Sequence, residues 1–118
     1  MIDKSDAEAF AKEWIDAWNS HDLVRILSHY SDSIVFHSPR IALILKQPLD
    51  CLTGKDALAT YWGRALAQAN DLHFTFERLY LGSDSITIAY RNHRGQSAAE
   101  TFTFDTQGLV MESIATYG

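Results

Sequence analysis

Cysteine is almost missing from this 118-residue chain: Cys51 stands alone, so no disulfide can close within it. No Cys/His spacing of the metal-binding kind occurs either, and neither a metal nor a cofactor is expected. Basic charge is also scarce. Ten Lys and Arg face fifteen Asp and Glu, for a formal net charge of −5, and the ten are scattered rather than gathered into a stripe. That excludes a surface able to track nucleic-acid phosphates. No apolar stretch reaches membrane-spanning length, and Met1–Asp6 has neither the basic start nor the apolar run of a secretory signal. The expectation is a cytoplasmic protein. Proline is limited to Pro39 and Pro48, which interrupt one region of the chain.

What is present is ordinary for a globular protein, with 47% hydrophobic and 21% charged residues. The length suits one domain, residues 1–118, with a single core. Ser5-Asp6-Ala7-Glu8 has capping-box spacing and opens a helix whose buried stripe is Ala7, Phe10, Ala11, Trp14, Ile15 and Trp18. Glu8 and Lys12 are a candidate pair on its wet side. Asp22 can cap a second, shorter helix that buries Leu23, Ile26, Leu27 and Tyr30. A turn at Ser31–Ser33 leads to a strand, Ile34–Ser38, ended by Pro39. From Arg40 to Thr53 the pattern breaks, and a strand fragment or a mobile flap over a pocket mouth is expected. Thr53-Gly54-Lys55-Asp56 starts a third helix, with Leu58, Tyr61, Trp62, Ala65, Leu66 and Ala69 at helical spacing. Four strands follow, Leu72–Leu81, Ser85–Asn92, Gln96–Asp105 and Leu109–Tyr117, joined by short Gly-containing turns that imply antiparallel hairpins. The reading is α+β: a cone-shaped half-barrel with three helices from the N-terminal part packed on a curved antiparallel sheet.

One residue breaks the pattern of the third of these strands. Alternation puts Ala98, Glu100, Phe102 and Phe104 on one face, so a carboxylate shares the more apolar side. Such a group is costly unless it is paired, hydrogen-bonded or neutral, and Glu100 therefore marks a candidate pocket with a raised pKa. The competing arrangement is a salt bridge to Arg91 or Arg94, which would lower the pKa. Tyr30 and Trp14 are the polar neighbours expected for it. Among the histidines, His21 is expected in a loop, His29 on an exposed helical surface and His93 in a solvated turn. His73 should point away from the face shared by Phe74 and Phe76, and His37 away from Phe36 and Ser38.

The order of elements, with Ala17-Trp18-Asn19, His21-Asp22-Leu23, Val35-Phe36-His37-Ser38-Pro39, Thr53-Gly54-Lys55-Asp56-Ala57-Leu58, Tyr61-Trp62 and Glu100-Thr101-Phe102-Thr103-Phe104-Asp105, resembles the SnoaL-like group of the nuclear transport factor 2-like superfamily. The resemblance implies a cone with an apolar pocket between helices and sheet, and a homodimer. It spans enzymes such as ketosteroid isomerase, dehydratases, epoxide hydrolases and polyketide cyclases as well as non-catalytic binding modules, so fold alone does not choose a function. In the isomerase the general-base Asp precedes a Pro on the first strand; the matching residue here is Ser38. Its oxyanion-hole Tyr corresponds to Trp14, and its protonated oxyanion-hole Asp to Glu100. A His-Tyr pair common on the last strand reads Thr116-Tyr117 here, and the epoxide hydrolase's Asp-Arg-Asp set is not visible.

The catalytic candidates are therefore Glu100 and Ser38. Aromatic residues with polar tips suit a flat apolar ligand, which makes Trp14, Trp18 and Tyr30 binding candidates from the first part of the chain. Phe36, Trp62, Tyr90, Phe102 and Tyr117 complete the set. The expected ligand is a small hydrophobic molecule, cyclic or polyketide-like, either turned over by cofactor-free acid/base chemistry or simply bound by a dimeric module.

Overall fold

Asp3, not Ser5, caps the first helix of the computed structural model, which describes residues 2–118. Its carboxylate accepts from the Ser5 backbone N–H at 2.7 Å, so α1 runs Lys4–Ser20. Lys12 pairs with Asp16 at 2.8 Å instead of with Glu8. The expected stripe is the buried one, with Ala7, Ala11, Trp14, Ile15 and Trp18 in the core and Phe10 packed against it. Asp22 caps α2 (Leu23–Leu27) by accepting from the Arg25 N–H at 3.2 Å.

Tyr30 does not belong to α2. It opens β1 (Tyr30–His37), where it pairs with Val110, and the Val110 N–H donates to the His29 carbonyl at 2.9 Å. Sheet pairing here overrides helical spacing. The broken segment resolves into two short elements: a helix, α3 (Ile41–Leu45), and a strand, β2 (Cys51–Thr53). Thr53 ends that strand rather than starting a helix. Gly54, at φ +94°, is the N-cap of α4 (Lys55–Gln68), a conformation costly for a residue with a Cβ.

The four remaining strands are β3 (Thr75–Leu81), β4 (Ser85–Arg91), β5 (Ser97–Phe104) and β6 (Val110–Tyr117). They form the expected antiparallel meander. The whole sheet has the order β2-β1-β6-β5-β4-β3 and is mixed, because β1 runs parallel to β6 while pairing antiparallel with β2. The first strand of the meander starts three residues later than its composition suggests. Asn19 at the end of α1 clamps Phe74 through both backbone groups (2.9 and 2.7 Å), and His21 bonds the Leu72 carbonyl at 2.7 Å. His21, in left-handed backbone at φ 61°, is thus a fixed helix cap rather than a free loop residue. Two side chains expected on one face also part: Phe74, held by Asn19 just before β3, packs inward, and Phe76 within the strand is exposed.

Helices cover one face of the open sheet, α1 lying against β3 and α4 against β1 and β2. Aromatic rings weld the two layers. Phe102, fully buried on β5, meets Phe10 and Trp14 edge-on with centroids 5.2 Å apart in both pairs. The opposite face carries no helix; Thr87 and Thr101 hydrogen-bond across it at 2.8 Å, and Tyr80 and Ile114 stand 53% and 42% exposed.

Candidate functional site

Between the helices and the inner sheet face lies a cavity of about 480 Å³. Trp14 and Trp18 reach it from α1, Tyr61 and Trp62 from α4, Phe36 from β1 and Tyr90 from β4. Glu100 on β5 and Tyr117 on β6 complete the sheet side. Arg40, Leu43 and Ile44 join the wall, so the segment following Pro39 does border the cavity.

Glu100 is 4% exposed and faces inward, as alternation along β5 requires. Its Oε2 accepts from the Ser113 hydroxyl on β6 at 2.7 Å. Oε1 makes no hydrogen bond among the described residues. Burial in apolar surroundings pushes the carboxyl from 4.5 up to about 7, and the Ser113 bond, which favours the charged form, works against that rise. Neither arginine of the alternative arrangement reaches it: Arg91 bonds Glu77 at 3.3 Å and the Gly95 carbonyl at 2.6 Å.

Tyr30 and Trp14 are not its hydrogen-bonding company. The Trp14 indole donates to the Tyr30 hydroxyl at 3.0 Å, so each satisfies the other, and burial raises the Tyr30 phenol well above its ordinary value. Tyr30 and Phe102 lie in the core behind the wall rather than on it. Trp14, Trp18, Phe36, Trp62, Tyr90 and Tyr117 do line the cavity. Tyr90 stays firmly protonated, its phenol raised by burial and by the nearby Glu100.

Ser38 is 2% exposed and does not border the cavity; its Oγ accepts from the Arg40 N–H at 3.2 Å. The phenols of Tyr61 and Tyr117 lie beside it. Burial raises both, Tyr61 to about 12, and the Ser38 hydroxyl opposes each rise. A serine shared in this way has no base to activate it.

Several residues of the site had no prominence in the sequence. Ser113 is one, although it occupies an inward position on β6 in register with Phe102, and a hydroxyl at such a place was its available signal. Arg40 is another: its guanidinium stacks 4.1 Å above the Tyr117 ring and donates to Gln96. His93 is not solvated as its turn suggested. Its Nδ1 is buried without a partner, and the ring lines the cavity beside Asn92, Arg94 and Gln96. The Trp18 indole N–H is buried without a partner as well. His29 is also less free than expected, its Nε2 lying 3.1 Å from Glu13, while His37 turns outward to Glu112 at 3.2 Å. Among the described residues no group of three or more His, Cys, Asp and Glu side chains is placed to hold a metal, and no helix is long and apolar enough to cross a membrane.

Helices packed on one face of an open six-stranded sheet are a fold shared with a solved nuclear transport factor 2-like protein of unknown function from Cytophaga hutchinsonii, 11% identical with a TM-score of 0.64 over 95% of this chain and 89% of its own. Residues 11–115 match the model of the SnoaL-like domain, and the chain belongs to that family. A SnoaL-like protein of unknown function from Burkholderia thailandensis is 42% identical and superposes with a TM-score of 0.94, covering 99% of this chain and 98% of its own. The epoxide hydrolase/cyclase-like enzyme SalBIII, of pyran ring formation in the polyether salinomycin, shares 17% identity over 100% of this chain and 95% of its own, with a TM-score of 0.76. RV0760c from Mycobacterium tuberculosis, in complex with estradiol-17β-hemisuccinate, shares 21% identity over 95% and 93% of the two chains, with a TM-score of 0.73. Likeness at these last two identities speaks to fold. A search of curated proteins gave no match.

Proposed function

We propose that this protein binds a small hydrophobic molecule, cyclic or polyketide-like, in the cavity, and that Glu100 acts on it as a cofactor-free acid/base catalyst of the isomerase, cyclase or dehydratase type. The observation that carries the reading is the state of Glu100. A carboxyl held near pH 7 by burial populates both protonation states under neutral conditions, so it can donate to a substrate oxygen and be restored from it. Ser113 anchors Oε2 and leaves Oε1 to meet the ligand. Tyr90, protonated and on the same wall, is a second hydrogen-bond donor for a developing oxyanion. Ser38 serves as a positioning residue, bracing Tyr61 and Tyr117 rather than attacking the substrate. The cyclase-like chemistry of SalBIII and the steroid carried by RV0760c are the kind of ligand such a cavity suits.

A non-catalytic binding module is the rival. It draws support from the Trp14–Tyr30 bond, which occupies two groups that would otherwise orient a substrate. In either case we propose a homodimer through the bare sheet face. The test of catalysis is to incubate the protein with a panel of polycyclic ketones and epoxides and follow turnover by mass spectrometry. Turnover abolished by Glu100→Gln, with binding retained, supports the catalyst; ligands bound and released unchanged support the module.

A further inference from the structure

We propose that the ligand carries a carboxylate, received at one end of the cavity by Arg40 and Arg94. The inference deepens the reading above and rests on the cavity being the ligand site. Of the other four arginines, Arg25 bonds Glu13 at 2.7 Å and Arg91 bonds Glu77 at 3.3 Å, while Arg64 and Arg78, without an ion pair among the described residues, lie away from the cavity. Arg40 and Arg94, both on the cavity wall, form no ion pair among the described residues. Arg40 is half-buried and has only neutral company, the Tyr117 ring at 4.1 Å and the Gln96 side-chain oxygen.

That company holds the guanidinium in place without neutralising it. Gln96 Oε1 is itself fixed by the Asn92 amide at 3.2 Å, and Asn92 in turn bonds the backbone N–H groups of Arg94 and Gln96, both at 3.0 Å. A guanidinium has five N–H donors in a fork that matches a carboxylate, and Gln96 occupies only part of Arg40's set. His93 adds a buried ring nitrogen with no partner; its other nitrogen lies 3.7 Å from the exposed Asp71, which is the one acid facing this cluster in an ion-pair contact. Two unpaired cations on the wall of a cavity whose sole acid is Glu100 favour an anion.

The position of this cluster says something about ligand length. Tyr117, on which the Arg40 guanidinium stacks, pairs with Ala98, two strand residues from Glu100, a span of about 7 Å. The carboxylate-binding end and the proton-transfer end are therefore separated by roughly the length of one or two rings, and the apolar wall between them takes the ring system.

The probes are biphenyl-4-carboxylic acid and its neutral isostere biphenyl-4-carboxamide, titrated at pH 6 and low salt. All three tryptophans line the cavity, so their fluorescence reports binding, and calorimetry gives the affinity. The acid is expected to bind at least tenfold more tightly than the amide, and Arg40→Gln with Arg94→Gln to bring the two to parity by weakening the acid alone. The amide bound as tightly as the acid by the unaltered protein overturns the anion site and leaves the apolar cavity standing. Neither probe bound overturns both readings. An acid preference that survives the double substitution removes these arginines from the site.

Discussion

Ser113 donates to Glu100 across the β5–β6 pair at 2.7 Å, joining the two buried polar side chains of the inner sheet face. The bond stabilises the ionised carboxyl while desolvation opposes it, and desolvation is the larger effect. Ser113→Ala removes the opposition. The Glu100 carboxyl resonance, titrating near 7 in the unaltered protein, should then titrate higher. NMR of the labelled side chain checks this, and a titration below 4.5 in either protein contradicts the desolvated site.

The same carboxyl makes stability depend on pH. Its folded pKa is raised from 4.5 to about 7, so the folded state holds the proton more tightly than the unfolded one. Its stabilisation is therefore complete below about 4.5 and is lost as pH rises towards 7, by a total on the order of 3 kcal/mol. Glu13 behaves oppositely: Arg25, helped by His29, lowers it to about 2, so its contribution is present above 4.5 and fades on acidification. Being more than a third exposed, that pair is worth less than about 1 kcal/mol. The two groups together favour maximal stability near pH 5. Urea unfolding should show Glu100→Gln close to the unaltered protein at pH 5 and more stable than it at pH 8.

Core and wall substitutions should separate cleanly. Phe102→Ala deletes a fully buried ring between Phe10 and Trp14 and should cost about 3–5 kcal/mol. Leu43, on the cavity wall yet 75% exposed, should cost less than about 0.5 kcal/mol as Leu43→Ser, while an apolar probe loses affinity. Chemical denaturation paired with probe titration distinguishes these two outcomes.

The bare sheet face gives a prediction about mass. A homodimer across it buries Tyr80 and Ile114, and light scattering at micromolar concentration should return twice 13.3 kDa. Ile114→Lys places a charge in the middle of that face and should halve the measured mass. A single-chain mass for the unaltered protein rules the dimer out.

Asp3 and Ser5 offer a test of helix capping. Asp3→Ala removes the acceptor for the Ser5 N–H and should cost about 1 kcal/mol, whereas Ser5→Ala should be nearly neutral because Ser5 is exposed and inside the helix.

Residue order alone was enough for the two periodicities. The stripe from Ala7 to Trp18 and the alternation Ala98, Glu100, Phe102 are local properties, because helix and strand geometry repeat over a few residues and burial follows. The α+β class, the meander and the inward aim of Glu100 came from them. Contacts distant in the chain decided the rest. Tyr30 became a strand residue because Val110, eighty positions on, offers it a partner, and Phe74 parted from Phe76 because Asn19 clamps its backbone. Arg40–Thr53 has no strong period of its own, so whether it forms helix or strand depends on β1 beneath it and α4 beside it. Ser113 beneath Glu100, and Arg40 stacked on Tyr117, are likewise pairings between separate segments. A buried charge's energy depends on what stands within a few ångströms of it, and only the folded chain sets that neighbourhood.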